Sequence, residues 1–426
     1  MSSEIFIGID LGTSGVRGSA IDRQGKELAT ARIPLPPVQQ PADWQQAAFN
    51  AIRRLCDQIK PELIQAIAVD GTSGTVVLCD AYGEPCSPAL MYNDQSCTDE
   101  AEEINRHAPE DSAARGASSS LAKALYLLKN RSHAAHICHQ ADWIAGRLCG
   151  RFDISDENNC LKLGYDPVNR EWPGWLSVLG IDSILLPRVY APGTTLTTVD
   201  KNIAQQLGMP AHCKLVAGTT DSIAAFIATG ACETGEAVTS LGSTLVLKLI
   251  SGKPVFSSRL GVYSHRLGDS WLAGGASNSG GKVLLKYFDQ ARMDEMTPLL
   301  EPAAPTGLDY YPLAQAGERF PRNDPGLQPM LEPRPQDEVK FFQAMLEGIA
   351  GIEAEGYRAL SQLGAPAVTK VFTSGGGSSN PAWRKIRELK LGVQVEIAEH
   401  SEASYGAALL AMRACVQATS VIPEKI

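Results

Sequence analysis

Apolar residues at the start of the chain occur in short runs that are separated by turn residues. Residues 5–9 form one such run, residues 11–15 are rich in glycine and hydroxyl side chains, and residues 16–21 form a second run. This order predicts a β-hairpin. Apolar residues then recur at helical spacing over 42–60, and 64–69 is a further apolar run that predicts a strand. Strands that alternate with helices in this way are typical of an α/β fold.

The stretch 237–253 repeats the order of features found in 7–26. Each contains an apolar run, a Leu-Gly step followed by hydroxyl residues, a second apolar run and a closing Gly-Lys pair. Turns of glycine and hydroxyl residues are common between strands, but here the Leu-Gly and Gly-Lys steps both recur. The repeat therefore predicts two lobes built on one plan.

Prolines are concentrated in one stretch of the second half. Eight of them fall between Pro302 and Pro335. Because proline removes a backbone donor and fixes φ, such a stretch does not continue a helix or a central strand. We expect 301–335 to be a long surface excursion without regular structure, between a helix near 280–290 and a helix over 337–363.

The composition is that of an ordinary globular protein, with 44% hydrophobic and 20% charged residues. A length of 426 residues suggests two or three domains. Asp and Glu number 47 against 38 Lys and Arg, which gives a net charge of −9. This balance argues against binding to nucleic acid or to an anionic membrane surface.

Targeting and redox features favour a cytoplasmic location. No stretch approaches the ~18–20 apolar residues of a membrane span, and residues 1–5 lack the basic and apolar regions of a signal peptide. The ten cysteines are scattered without a CxxC pair. We therefore expect reduced thiols, with neither a zinc site nor a disulfide framework.

Four turns rich in glycine and hydroxyl residues follow apolar runs, at 10–15, 241–244, 274–281 and 374–380. Small residues let backbone N–H groups approach an anion, and hydroxyls add donors, so phosphate is the natural ligand. One such turn alone is more often structural, but four in one chain favour a nucleotide-binding protein. The P-loop pattern and the Rossmann glycine pattern both fail to match, which argues against NAD chemistry.

The last of these turns has the clearest surroundings. Residues 370–373 form a predicted strand, three glycines follow, and Asn380 and Pro381 are typical of a helix N-cap and first helical position. The helix is expected to end near Leu391, before Gly392. A strand–glycine–helix unit of this kind can carry a nucleotide across its open backbone.

Several carboxylates stand where packing gives them no role. Asp10 ends an apolar run and is a candidate ligand for Mg²⁺ or its water. Asp221 precedes the apolar run 223–228, where it is either a helix N-cap or a general base toward a substrate hydroxyl. Asp70 and Asp94 have similar positions at a strand end or in a loop.

Three histidines, His133, His136 and His139, lie close together with Cys138. On a helix this spacing spreads the side chains around the surface. We therefore expect partly exposed helix residues and no shared metal ion.

With these motifs in order along nearly the whole chain, the sequence resembles the FGGY family of carbohydrate kinases. Residues 7–14 resemble its first phosphate motif, 218–222 the turn that carries its catalytic base, 240–244 its second phosphate motif and 374–380 its adenosine motif. Residues 89–94 are similar to its strand ending W-x-D, with Tyr92 in place of Trp. Residues 142–172 follow its D-[YW]-[IL] segment, and 405–411 match its closing helix.

Some departures from the family pattern bear on which sugar is bound. Xylulose kinases usually carry Gln-Met-His-Gly at the second hairpin, where this chain has Gly-Thr-Ser-Gly at 71–74. Residues 69–76 are more similar to the D-x-T-x-x-T pattern of ribulose-type kinases. The two family signatures match in part, at 118–123 and 344–349.

The resemblance implies an α/β fold with two actin-like (ribonuclease H-like) lobes of the sugar kinase/Hsp70/actin superfamily around a central cleft. It implies an N-terminal lobe over 1–228, with the sugar site and the first phosphate motif, and a nucleotide-binding C-terminal lobe over 229–401. A closing helix over 402–426 is expected to pack back toward the N-terminal lobe.

The implied activity is ATP-dependent phosphorylation of a small sugar with Mg²⁺, and the expected sugar is a pentulose, D-ribulose first and D-xylulose second. Asp221 is implied as the catalytic base and Asp10 as the catalytic carboxylate nearest the metal. The implied substrate-binding residues are Thr72, Ser73, Asp94, Asp221 and Ser222. The implied nucleotide-binding residues are Gly12, Thr13, Ser14, Gly242, Ser243, Thr244, Gly376, Gly377 and Asn380.

Two other protein classes stay open. A chaperone-like or regulatory ATPase of the superfamily needs a further peptide-binding segment, and only 15 residues follow Ala411. A sugar-sensing protein without efficient kinase activity is expected to lack the base, whereas Asp221 is present. We expect a monomer or homodimer that binds a small-molecule sugar and has no nucleic-acid or membrane partner.

Overall fold

The computed structural model of the chain describes residues 4–129 and 133–419. Residues 1–3, considered above for a signal peptide, and 420–426, the end of the predicted closing helix, lie outside the described residues. The chain divides into two compact units. The N-terminal unit comprises Met1–Ala228 and Glu402–Ile426, and the C-terminal unit comprises Thr229–Ser401.

The strands, in chain order, are β1 (Ile5–Leu11), β2 (Gly15–Asp22), β3 (Glu27–Pro34), β4 (Ile64–Gly71), β5 (Val76–Cys79), β6 (His136–His139), β7 (Ile154–Asp156), β8 (Arg188–Tyr190), β9 (Thr195–Thr198), β10 (Lys214–Val216), β11 (Glu236–Leu241), β12 (Leu245–Ser251), β13 (Tyr263–Leu267), β14 (Ser270–Ser277), β15 (Lys370–Ser374) and β16 (Gln394–Ile397).

The α-helices are α1 (Pro41–Cys56), α2 (Thr98–His107), α3 (Ser120–Leu128), α4 (Gln140–Cys149), α5 (Glu157–Cys160), α6 (Trp175–Val178), α7 (Lys201–Leu207), α8 (Asp221–Ala228), α9 (Gly281–Leu284), α10 (Gln290–Met296), α11 (Glu338–Gln362), α12 (Pro381–Leu391) and α13 (Ala403–Thr419). Short 3₁₀ turns cover Pro61–Leu63, Leu161–Leu163, Ser183–Leu185, Ser258–Leu260, Thr297–Leu299 and Gly376–Ser379.

A six-stranded sheet forms the middle of the N-terminal unit, with strand order β3-β2-β1-β4-β10-β9. The first three strands pair antiparallel, whereas β4 pairs parallel with both β1 and β10. The edge strand β9 returns antiparallel to β10. The predicted opening hairpin and the strand that follows α1 are therefore confirmed.

The C-terminal unit has a second six-stranded sheet, with strand order β13-β14-β12-β11-β15-β16. β11 pairs antiparallel with β12 and parallel with β15, and β15 pairs parallel with β16. The run β14-β12-β11-β15-β16 thus repeats the strand directions of β3-β2-β1-β4-β10. This correspondence confirms the prediction of two lobes on one plan, and the α/β class with it.

Helices cover both faces of the first sheet, and β1 is buried at all seven positions as a result. Gly18 on β2 faces α1, where an added Cβ would lie 2.9 Å from a methyl of Leu55. Gly8 on β1 faces α13, where an added Cβ would lie 2.0 Å from the carbonyl oxygen of Ser404. The backbone of α13 therefore lies directly on β1, and only glycine fits at position 8.

Two local predictions differ from the structure. Helix α1 ends at Cys56 instead of continuing to Lys60, which is extended because it precedes Pro61 and the 3₁₀ turn that proline begins. The histidine segment is not a helix, since His136–His139 is strand β6, paired with β5. The expected absence of a metal centre there rested on the wrong element.

The proline-rich stretch 301–335 is irregular, as predicted, and carries only isolated bridges such as Tyr311 to Met330. Its expected surface position is wrong for its middle part. Tyr311, Leu313 and Phe320 are at most 2% exposed and belong to the core of the C-terminal unit. The long helix predicted over 337–363 is confirmed as α11, capped by Asp337.

A saturated ion pair lies inside the C-terminal unit. Arg387 donates to both carboxylate oxygens of Glu353, over 2.6 and 2.7 Å, and each side chain is 1% exposed. Thr239 donates to the same carboxylate, and Arg387 also donates to Thr373, so the network links α11, α12, β11 and β15. Such a pair costs desolvation to form, but removing one partner leaves a buried charge unpaired.

We expect Glu353→Gln to lower the free energy of unfolding by about 3–5 kcal/mol, because Arg387 then loses its counter-charge in a dry site. Urea denaturation of both proteins measures the difference. Glu355 on the same helix is the matched control, since it also pairs with an arginine, Arg322, but both side chains are a third or more exposed. Glu355→Gln is expected to cost no more than about 1 kcal/mol. Equal losses for the two variants would contradict the prediction.

Candidate active site

Three parallel strands of the N-terminal unit end at one edge of the sheet. Asp10 on β1 lies directly opposite Asp70 on β4, and the next residue of β4, Gly71, bridges to Thr220. Asp221 follows Thr220 and begins α8. Because the carboxyl ends of parallel strands are where α/β sheets bind ligands, these three carboxylates lie at the position expected for a site.

Asp10 is almost fully buried, at 2% exposure. Its Oδ2 lies 3.3 Å from a guanidinium nitrogen of Arg17 on β2, and Arg17 also contacts Glu402. Its Oδ1 has no hydrogen-bond donor among the described groups. Burial raises the pKa of Asp10, and the neighbouring Asp70 and Arg17 oppose that rise.

Asp70 has no exposure to solvent. Burial raises its pKa well above the usual range, and the negative charge of Asp10 beside it acts in the same direction. Neither oxygen of Asp70 has a hydrogen-bond partner in the described part of the chain. We therefore treat Asp70 as the protonated member of the pair and Asp10 as the member that faces Arg17.

Asp221 is half-buried at the start of α8, and its Oδ1 accepts a hydrogen bond of 2.6 Å from the backbone N–H of Ser222. A carboxylate at a helix N-terminus is stabilised by the helix dipole. The turn before it is braced by Asn158 of α5, whose side chain donates to the Thr219 hydroxyl over 3.0 Å. The predicted position of Asp221 at the start of a helix is confirmed, and its role as the base stays a prediction.

The short helix α5 begins at a buried carboxylate of its own. Asp156 caps the helix, and the backbone N–H groups of Asn158 and Asn159 donate to its Oδ1. Burial, followed by the charge of Asp142, raises the pKa of Asp156 to about 7. Asp156 therefore belongs to the same group of buried acids as Asp10 and Asp70.

The turn of the first hairpin presents hydroxyls to solvent at this edge. Thr13 and Ser14 are exposed, and Gly12 donates its N–H to the carbonyl of Gly15 over 3.1 Å. An added Cβ at Gly12 would lie 3.8 Å from the Oδ2 of Asp10. The turn therefore places two solvent-exposed hydroxyls, and a backbone without a Cβ at Gly12, next to Asp10.

The β4–β5 loop, residues 72–75, lies next to Asp70 in the chain. Thr72 is buried, and its hydroxyl bonds to Thr75 over 2.6 Å and to the Gln140 carbonyl oxygen over 2.8 Å. Thr75 in turn accepts from the Tyr92 backbone. The hydroxyl of Thr72 is thus used inside the loop, and Ser73, which is half-exposed, is the hydroxyl that the loop offers to a ligand.

Asp94 and Ser222 are both solvent-accessible. Hydrogen bonds from the side chain and backbone of Ser96 hold the pKa of Asp94 below its usual range, so it stays ionised. The Lys123 ammonium beside the 72–75 loop acts in the same direction. Asp94 therefore stands close to that loop, and Ser222 stands beside Asp221.

The C-terminal unit holds a cavity of about 430 Å³ at the corresponding edge of its own sheet. Five residues predicted for nucleotide binding line it: Gly242, Ser243, Gly376, Gly377 and Asn380. The remaining wall is largely apolar and is formed by side chains such as Met293, Leu346 and Trp383. A volume of this size with a few polar groups suits a nucleotide.

The local structure around this cavity follows the strand–glycine–helix prediction. β15 leads into the turn Gly376–Ser379, and Asn380 caps α12 by accepting from the backbone N–H of Trp383 over 2.9 Å. Gly376 has open space where a Cβ would be, whereas at Gly375 a Cβ would lie 2.6 Å from the Leu241 carbonyl. Gly376 therefore leaves room for a ligand, and Gly375 allows the turn to pack closely against the end of β11.

One part of the nucleotide prediction needs correction, and one predicted residue, Thr244, lies outside the cavity lining. Gly274 and Gly275 lie inside strand β14, where Phe320 packs against the second of them, so the stretch 274–281 is not one open turn. Of this stretch, only the last residue, Gly281, lines the cavity, together with Lys282, which follows it. Thr244 lies in the β11–β12 turn, where its carbonyl accepts from Gly242, and it is not among the lining residues.

The donor set for a divalent cation is limited. Among residues 4–129 and 133–419, no group of three or more His, Cys, Asp or Glu side chains could hold a metal ion. The unpartnered Oδ1 of Asp10 is a hard oxygen donor of the kind that Mg²⁺ prefers. The residues present fit a magnesium ion that keeps most of its ligands as water and substrate phosphate.

Sequence reasoning missed several residues of these sites. Gln140 and Lys123 contact the 72–75 loop from elements distant in the chain, so no local pattern marks them, whereas Arg17 contacts Asp10 from the next strand of the same hairpin. Lys282 and Trp383 line the cavity of the C-terminal unit. Lys282 had a signal in the sequence, because it follows a pair of glycines in a phosphate-type turn.

None of the helices in the described part of the chain is both long and apolar enough to cross a membrane.

Among curated proteins, the xylulose kinase of Escherichia coli K12 is 26% identical to this chain, over 90% of this chain and 84% of that protein. This chain is 25% identical to the L-fuculokinase of Salmonella typhi over 96% and 92%. A crystal structure of a xyloylose kinase from Brucella ovis has a TM-score of 0.87 and 23% identity, and covers 97% of this chain and 91% of that one.

Family models agree with these likenesses over both units. The N-terminal domain of the FGGY family of carbohydrate kinases matches residues 5–228, and its C-terminal domain matches residues 237–415. The chain therefore belongs to the FGGY family of carbohydrate kinases and is a sugar kinase, a phosphotransferase.

Proposed function

We propose that the chain transfers the γ-phosphoryl group of ATP to a hydroxyl of a small ketose sugar. The sugar binds to the N-terminal unit, within 1–228, and the nucleotide binds to the C-terminal unit, within 229–401. The observation that carries the proposal is the sheet edge at which Asp221, Asp10 and the 72–75 loop meet. The curated relatives named above, a xylulose kinase and an L-fuculokinase, support a sugar of this class.

Asp221 acts as the general base in this proposal. A kinase does little covalent chemistry of its own, so its residues position the reactants and balance charge. A carboxylate that accepts the proton of the attacking hydroxyl makes the hydroxyl oxygen a better nucleophile during the transfer. The bond from the Ser222 N–H fixes one oxygen of Asp221 and orients the other for this task.

Asp10 acts on the phosphate side. Mg²⁺, when bound, neutralises charge on the phosphate oxygens, and Asp10 would hold it through water with its unpartnered Oδ1. Arg17 keeps the other oxygen of Asp10 occupied, and Asp70 keeps a proton next to it. Thr13 and Ser14 add exposed hydroxyl donors for a phosphate at the same turn.

The nucleotide lies in the cavity of the C-terminal unit. The backbone N–H of Gly376 can approach a phosphate oxygen because no Cβ covers it. Lys282 supplies the positive charge in the lining, and the apolar wall suits a base and ribose. Because the indole Nε1 of Trp383 is buried without an acceptor among the described groups, an acceptor on the nucleotide base would satisfy it.

D-ribulose is the proposed sugar, and D-xylulose is the second choice. The D-x-T-x-x-T pattern at 70–75 has a structural meaning, since both threonine hydroxyls bond to each other and shape the loop. That loop offers the short hydroxyl of Ser73, with Asp94 and Ser222 as further candidate contacts to sugar hydroxyls. Sugar hydroxyls need such paired donors and acceptors, and an epimer that leaves one unpaired binds much more weakly.

We expect Asp221→Asn to lower sugar phosphorylation by roughly 10²-fold or more while the KM for ATP stays nearly unchanged, because only the proton acceptor is lost. A coupled assay of ADP release measures both constants. Asp200→Asn is the control, since Asp200 also caps a helix of the same unit but follows β9, which runs antiparallel to β10 and therefore ends at the opposite edge of the sheet. Activity within a few-fold of the parent would move the base elsewhere, with Asp94 the next candidate.

Asp10→Ala is expected to reduce sugar-dependent turnover and background ATP hydrolysis together, since both reactions use Mg·ATP. ADP release is measured with and without sugar over a range of Mg²⁺ concentrations. Asp57, exposed at the end of α1, gives the control variant Asp57→Ala. A loss confined to the sugar reaction would assign Asp10 to the sugar site instead.

We expect kcat/KM for D-ribulose to exceed that for D-xylulose by roughly tenfold or more at saturating ATP, because one buried polar group loses its partner with the wrong epimer. Ser73→Ala should narrow this ratio, and Ser177→Ala, at an exposed position on α6, should leave it unchanged. A value for xylulose at or above that for ribulose would overturn the assignment of the sugar and leave the kinase activity standing.

A further inference from the structure

A buried lysine lies beneath the 72–75 loop. Lys123 on α3 has no exposure to solvent. Its ammonium donates to the carbonyl oxygen of Gly74 over 2.8 Å and to that of Ser118 over 3.0 Å. The side chain thus ties the loop that follows β4 to the segment that precedes α3.

This lysine is held without a counter-ion. Among the described carboxylates none forms an ion pair with Lys123, and Asp94 acts on it from beyond ion-pair distance. Burial and the nearby Lys162 lower the pKa of Lys123 to about 8. Because a buried cation with only carbonyl partners costs stability, a neutral side chain would serve simple packing better. The buried ammonium is therefore best explained by its hydrogen bonds to the two backbone carbonyls.

The carbonyl that Lys123 holds belongs to the residue after Ser73. Gly74 has a φ of +93°, and a Cβ added to it would lie 3.3 Å from the Ser118 carbonyl. The peptide between Gly74 and Thr75 is therefore held by a charged donor, and the residue that begins it has a conformation that favours glycine. Charge-assisted bonds of this kind are about twice as strong as neutral ones.

The other end of the loop is tied separately. Gln140 accepts from the Thr72 backbone N–H and hydroxyl, and its own N–H donates to the Thr75 carbonyl over 3.2 Å. Lys123 and Gln140 thus hold the loop from two different elements, α3 and α4. Ser73 is the residue of the loop that neither contact uses.

The helix that carries Lys123 is itself braced by a buried chain of hydrogen bonds. Asp142 lies 2.7 Å from the Nδ1 of His139, and the Nε2 of His139 lies 3.2 Å from the Ser120 hydroxyl. The three residue types match those of a hydrolase triad, but Ser120 and His139 have no exposure to solvent. The chain therefore serves as a brace between the start of α3 and α4.

We propose that Lys123 is a positioning residue for the sugar, which acts by fixing the backbone on the C-terminal side of Ser73. This inference rests on the proposed function, in which the 72–75 loop binds the sugar. If the loop is fixed before binding, the sugar does not have to order it. When the binding-competent state is only partly populated, the apparent affinity falls by that fraction.

The test compares Lys123→Met, which keeps the length of the side chain and removes the donors, with the parent protein. We expect the KM for the sugar to rise roughly tenfold or more, while the KM for ATP and kcat at saturating sugar change less than about threefold. Lys201→Met is the control for removal of a lysine charge in the same unit, because Lys201 is exposed in the first turn of α7. It should match the parent in all constants.

Hydrogen–deuterium exchange supplies a readout that needs no activity. In Lys123→Met without ligands, amides of residues 72–75 should exchange faster than in the parent, and amides of β11 should not change. If this variant does not fold, Lys123→Gln, which keeps one donor, is measured in the same two ways and should show smaller changes in the same direction.

Parent-like exchange of the loop, or a parent-like KM for the sugar, would overturn the positioning role. A similar rise in the KM for ATP would also overturn it, since a general loss of structure would then explain the result. Failure of the proposed function looks different. In that case the parent protein phosphorylates no ketose, while the exchange experiment still reports whether Lys123 restrains the loop.

Discussion

The parallel pairing of β1 with β4 forces two carboxyl groups together, and the rest of the site depends on that register. Asp10 and Asp70 face each other in a place with almost no solvent, so both cannot be ionised at once. A slip of one residue between the strands would place the two side chains on opposite faces of the sheet. The contact between Gly8 and the backbone of α13 opposes such a slip, because no other residue fits there.

The two units treat buried polar groups differently. In the C-terminal unit, the carboxylate of Glu353 and the guanidinium of Arg387 have their partners, which makes that network stable and chemically inert. At the β1–β4 edge, atoms of Asp10, Asp70 and Gln140 are buried without a partner in the described residues. Buried polar groups normally have hydrogen-bond partners, so the unpaired atoms at this edge lower the stability of the fold. Such a loss of stability is typical of a binding or catalytic site.

Predictions from the sequence were correct where the cause of the structure lies close by in the chain. The opening hairpin and the Asn380 cap with its glycine turn follow from neighbouring residues. The similar strand order of the two sheets was predicted because one local order of features recurs in 7–26 and 237–253. The predictions were incomplete where the cause lies far away. Thr72 was predicted to contact the sugar, but its hydroxyl bonds to Gln140, 68 residues later. Lys123 reaches Gly74 across 49 residues, and no short pattern reveals that contact.

The shared plan of the two sheets shows how one backbone arrangement serves two chemistries. Asp10 and Asp70 are direct partners on β1 and β4, and the corresponding partners on β11 and β15 are Ser240 and Ser374, whose hydroxyls lie 3.0 Å apart. A carboxyl pair can hold a proton and an oxygen ligand for a cation, but it repels phosphate. A hydroxyl pair at the same position carries no charge, so the glycine turns next to it can accept a polyanion. The difference between the two edges is therefore electrostatic, and it supports our proposal of proton and metal chemistry at the first edge and nucleotide binding at the second.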